Sequence, residues 1–159
     1  MKISFVFLLL FSFLTASAQT DTRIFYSQLM VVFSDIEKNF EYLKGDLRSS
    51  DDGVFVYETI RSLEGTTDNV VITDSVVYEY RAQINDSTSE EGSELIVAAW
   101  KKKLNDALSG MFSAPAEFRS DIDPATTGYQ YSSEKIAVLL LRHKEKSGWY
   151  WIQLVIKPK

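Results

Sequence analysis

The sequence predicts an α+β domain: an antiparallel sheet of four or five strands packed against two amphipathic helices, in the order α-β-β-α-β-β. Three observations predict it. Apolar residues recur three and four apart over 25–43 and again over 97–111, the spacing of one face of a helix. Apolar and polar residues alternate between Val70 and Ile84, the pattern of a half-buried strand. Two apolar runs, Ile136–Leu141 and Trp149–Ile156, flank a short charged connection and read as a hairpin.

Taken in order, Met1-Lys2, the apolar run from Ile3 to Leu14 and the small residues Ala16-Ser17-Ala18 have the layout of a secretory signal peptide cleaved after Ala18. The run is shorter than the roughly 20 residues that cross hydrocarbon. The expected organisation is a signal over residues 1–18 and a single α+β domain over 19–159, exported to the periplasm or beyond the cell, with no stable membrane span after cleavage. The absence of cysteine fits a bacterial envelope better than a eukaryotic secretory route.

Phe25, Leu29, Val32, Phe33, Ile36, Phe40 and Leu43 predict a first helix from about Thr22 to Lys44, with Gly45 as its stop. Ser49 to Gly53 is a polar turn, and Val54 to Ile60 is rich enough in β-branched and aromatic residues to predict a strand. Gly65 to Asn69 breaks the chain again. Val70, Ile72, Val76, Tyr78, Tyr80, Ala82 and Ile84 then share one parity, with Asp74 the exception, which predicts a bulge or a division into two strands there. Ser87 and Glu90 have the spacing of a capping box ahead of a second helix marked by Val97, Trp100, Leu104, Ala107, Leu108 and Met111. Ser113 to Gly128 reads as the longest irregular segment, and segments of that length often carry function. The sequence shows no internal repeat.

Charge and composition exclude several functions. The chain carries a net −5, and cleavage removes Lys2 and no acid, giving −6, whereas a nucleic-acid binder of this size shows a basic face. No nucleic-acid partner is expected. Lys101-Lys102-Lys103 is the one basic run, and on a helix its plainer reading is a solvated face. With no Cys and His143 as the single imidazole, a transition-metal site lacks ligands, and no metal or cofactor is expected. Asp51-Asp52 and Asp121-Ile122-Asp123 supply oxygen ligands without the spacing of a calcium loop, and turn-forming Asp is their commoner role. No GxSxG, SxxK, GxxxxGK or GxGxxG pattern is present.

What remains is aromatic. Tyr129, Tyr131, Trp149 and Trp151 gather near the final hairpin and are the candidate binding residues. Trp149 and Trp151 share one face of their strand, while Tyr150, Ile152, Leu154 and Ile156 share the other, the set expected beneath the helices. Cross-strand packing is the competing role for the indoles. The expected function is a non-enzymatic binding or adaptor protein of the bacterial envelope with an envelope protein as partner. The alternatives are a small-molecule carrier or a carboxylate-dependent hydrolase using Asp121, Asp123 and His143, and a structural subunit that oligomerises through a sheet edge.

Overall fold

A computed structural model describes residues 23–159, so the signal read in residues 1–18 lies outside the described residues. Helix α1 covers residues 23–35 and runs into a 3-10 turn, Ile36–Lys38. Four strands follow: β1 (Lys44–Asp51), β2 (Val54–Thr59), β3 (Asp68–Thr73) and β4 (Tyr78–Thr88). Helix α2 (Glu90–Leu108) then leads into β5 (Ala116–Arg119), β6 (Thr126–Ser132), β7 (Ile136–Lys144) and β8 (Tyr150–Pro158). All eight strands form one antiparallel sheet in the order β1-β2-β3-β4-β8-β7-β6-β5.

This corrects the expected four- or five-strand sheet and its α-β-β-α-β-β order, and the local reasons differ from element to element. The predicted first helix ends early because Asn39 and Phe40 both take left-handed backbone angles (φ 56° and 59°), which turns the chain. Asp35 fixes that turn, its Oδ2 accepting the backbone N–H groups of Tyr42 (2.9 Å) and Leu43 (3.0 Å). Phe40 and Leu43 stay fully buried, so the apolar spacing survives although the helix does not. Gly45 is therefore no helix stop. It lies in β1, where an added Cβ would sit 3.2 Å from the carbonyl oxygen of Glu58 on β2. Replacing the buried Asp35 with alanine strands two inward-facing N–H groups and is expected to cost roughly 1–3 kcal/mol, with Asp35→Asn retaining most of the stability. Urea unfolding of the two variants checks this; an equal loss in both overturns the argument.

The other corrections are similar. Asp52-Gly53, at φ 44° and 81°, forms a two-residue hairpin turn, so the polar Ser49–Asp51 belongs to an edge strand rather than a loop. The break at Asp74 is a tight turn between β3 and β4: its carboxylate accepts the N–H groups of Val76 and Val77 at 2.6 Å each, which holds its pKa below the ordinary carboxylate value. Ser89, not Ser87, caps α2, accepting the Gly92 N–H at 3.2 Å. The expected irregular segment Ser113–Gly128 is partly strand: β5 lies inside it and β6 begins at its end, leaving 120–125 as the loop between them.

The even-numbered residues of β8 go to the core, as their parity predicts: Ile152, Leu154 and Ile156 are fully buried and Tyr150 nearly so. Ile152, Leu154 and Ile156 join Tyr80 and Ala82 of β4, Val138 and Leu140 of β7, and the inner faces of both helices in one cluster. Phe25 of α1 meets Trp100 of α2 edge to face at 5.5 Å, so both helices lie side by side on the same face of the sheet. None of the described helices is long and apolar enough to cross a membrane.

The wiring contains a repeat that the sequence conceals. Residues 23–88 and 90–158 each run helix then four strands, and within the sheet the two halves are joined where β4 pairs with β8 at its centre. Exchanging the halves reproduces the same strand order, an approximate two-fold about the β4–β8 seam.

Candidate functional site

The four aromatic candidates do not form one surface. Tyr129 and Tyr131 point to the helix face, where Tyr131 is buried and its hydroxyl lies 3.0 Å from Asn105 Oδ1 and 3.2 Å from the Lys101 carbonyl. That burial pushes the Tyr131 pKa up to about 12. Trp151 is on the opposite, helix-free face, half-buried, and Trp149 lies half-exposed in the turn leading into β8.

On the helix-free face a row crosses three strands. Thr126 of β6 stands opposite His143 of β7, which stands opposite Trp151 of β8. The imidazole stacks on the indole at 4.8 Å between centroids and 20° between planes. Its Nδ1 lies 2.9 Å from both Asp123 Oδ2 and Thr126 Oγ1. Asp123 also takes the Thr126 hydroxyl at 2.5 Å and the Ala125 N–H at 3.2 Å. Its pKa is lowered, first by the Thr126 hydroxyl, then by Ala125 and His143. Of the three residues considered for acid–base chemistry, the fold thus brings Asp123 and His143 together, while Asp121 makes no contact with them. Thr126 meets the same nitrogen as Asp123, and among the described residues no hydroxyl is hydrogen-bonded to Nε2, where a Ser-His-Asp arrangement needs one. The cluster ties the 120–125 loop to β7 and props the indole.

Beyond Trp151 lies a shallow cleft of about 320 Å³ lined by Arg81, Gln83, Asp86, Trp151 and Gln153. Gln153 Nε2 donates to Gln83 Oε1 at 3.4 Å across the seam, and Arg81 pairs with Glu79 at 2.6 Å, which Lys157 also approaches at 3.7 Å. Beside this polar band Ala137, Leu139 and Val155 pack together with Phe118 and Leu141 alongside. The polar parity of β4, Glu79, Arg81 and Gln83, was legible as a strand's other face. Its junction with Gln153 and Trp151 was not, because that depends on β4 pairing with β8.

A second, larger groove of about 500 Å³ opens on the helix side. Glu94, Val97, Ala98 and Lys101, at one-turn spacing along α2, form a wall; β5 and β6 form the floor, with Tyr129, Thr127, Glu117 and Arg119, and Arg142 closes one end. Lys101 Nζ sits 3.7 Å from the centroid of Tyr129, and Lys103 rests on the rings of Phe25 and Trp100 at 4.2 and 4.6 Å. Only Lys102 of the basic run is a solvated residue, its side chain 83% exposed. Arg142 bonds Ser93 Oγ at 2.7 Å, lies over Tyr150 and has the carboxylates of Glu90 and Glu94 at 3.8 and 4.0 Å.

Fold and surfaces together define an α+β domain on a single eight-stranded antiparallel sheet, with a cleft on each face. Comparison with protein families, curated proteins and solved structures gives no match.

Proposed function

We propose that this protein is a non-enzymatic binding module whose helix-free sheet face docks a protein partner, with the Trp151 row as the anchor. The observation that carries the reading is the arrangement of that face: an indole stacked on His143 at the edge of a polar cleft on the central strands. A pre-positioned aromatic beside polar side chains is the composition of an interface hot spot. A signal over residues 1–18 would bring such a module to the bacterial envelope, and an envelope protein is the partner class proposed. Edge-to-edge assembly is the weaker alternative, since the β1 edge is charged, exposed and twice irregular in register, the devices by which sheets resist such pairing.

Affinity capture from envelope extracts, with Trp151→Ala as control, tests it. The variant is expected to weaken binding of the captured protein about thirtyfold or more. Its stability should fall by only about 1 kcal/mol, the worth of one aromatic stack. No enrichment, or capture indifferent to Trp151, overturns the reading.

A further inference from the structure

The groove between α2 and β5–β6 is independent of the Trp151 face and carries its own reading. Helix α2 packs on β7 and β8 and reaches β6 at Tyr129 and Tyr131, so the sheet extends past it and β5, with the β5 side of β6, is left as an open floor. The space, about 500 Å³, is that of a small-ligand site. Three cations, Lys101, Arg119 and Arg142, line it together with two carboxylates, Glu94 and Glu117. Arg142 is engaged by Ser93 and lies near Glu90 and Glu94. Lys101 and Arg119 differ: among the described residues no carboxylate comes within 4.0 Å of either. Lys101 is instead held over the Tyr129 ring, which places a charge and a flat apolar surface together. Val97 and Ala98 face that surface from the helix.

We infer that this groove binds a small organic anion with an apolar body, its acidic group meeting Lys101, where that ammonium rests on Tyr129, and Arg119, and its body lying against the Val97–Ala98 wall. Charge complementarity selects the head, and the apolar helix wall selects the body. Such an anion satisfies both cations without displacing any existing ion pair.

The test uses 1-anilinonaphthalene-8-sulfonate as the anionic probe and the uncharged N-phenyl-1-naphthylamine as its counterpart, each titrated by fluorescence against the full chain. Expected is saturable binding of one sulfonate per chain, weakened about tenfold or more by Lys101→Gln with Arg119→Gln. Ala98→Phe, which fills the groove, should abolish it, and the uncharged probe should bind weakly and ignore the charge variant. Thermal unfolding of each variant ensures that lost binding is not lost folding, and Arg119→Gln alone, at an exposed edge-strand position, keeps the test open if the double variant unfolds. Absence of binding, sulfonate binding unchanged in all variants, or equal binding of both probes overturns the inference.

Discussion

Substituting Gly128 with alanine is expected to destabilise the protein by about 3 kcal/mol, at the upper end for an overpacked interior site. The methyl group would overlap the carbonyl oxygen of Leu140, with the Leu140 carbonyl carbon 3.0 Å and the Leu141 Cα 3.1 Å away. All three atoms are backbone of β7, held in the β6–β7 ladder, so none can swing aside as a side-chain tip does. Gly53→Ala is the matched control. Gly53 has a left-handed φ of 81° but nothing within 4 Å of an added Cβ, so it should lose only about 1 kcal/mol of backbone strain. Urea midpoints of the two variants separate contact from conformation, and equal losses would remove the clash as the cause. Because β6 carries Tyr129 and Thr126, Gly128→Ala should also disturb the helix-side groove and the clamp on His143.

The second large effect is expected at the seam. Leu154 of β8 is fully buried and pairs with Ala82 of β4, so a large side chain faces a small one where the two halves of the molecule join. Leu154→Ala leaves alanine opposite alanine, with the sheet fixed on both sides, and is expected to cost about 2–5 kcal/mol, toward the high end because little can collapse into the space. Adding Ala82→Leu restores the volume from the other strand and should recover at least about 1 kcal/mol. Calorimetric unfolding of the single and double variants measures the coupling, and strict additivity would show that the two positions do not share one space.

These sites also show why part of the fold was legible in the sequence and part was not. The parity of Tyr150, Ile152, Leu154 and Ile156, and the break at Asp74, could be read because central strands bury one face and leave a period of two behind. β1 and β5 are the outermost strands, exposed along most of their length, so their composition records no buried face: Ser49, Ser50 and Asp51 read as turn, and Glu117 and Arg119 as loop. Gly128 resembled a turn glycine because a close backbone approach and a turn demand the same residue. The candidate surfaces were hidden more deeply. Tyr129 and Trp151 were recognisable as aromatics, but their assignment to opposite faces follows from strand register, which no local pattern encodes. Arg119 offered no signal at all, since its significance comes from standing across a groove from Lys101.

In chain order β8 is the last of the described strands, yet it lies in the middle of the sheet, between β4 and β7. A ribosome therefore delivers two ribbons, β1–β4 and β5–β7, before it delivers the strand that joins them. Until then β4 and β7 each hold out a row of unsatisfied amide and carbonyl groups beside half an apolar face, the combination that recruits other nascent chains. Vectorial folding can complete either ribbon but not the domain. The nascent chain must stay protected until its final strand clears the exit tunnel, and an abortive product lacking that strand is left with two sticky edges rather than a frayed end.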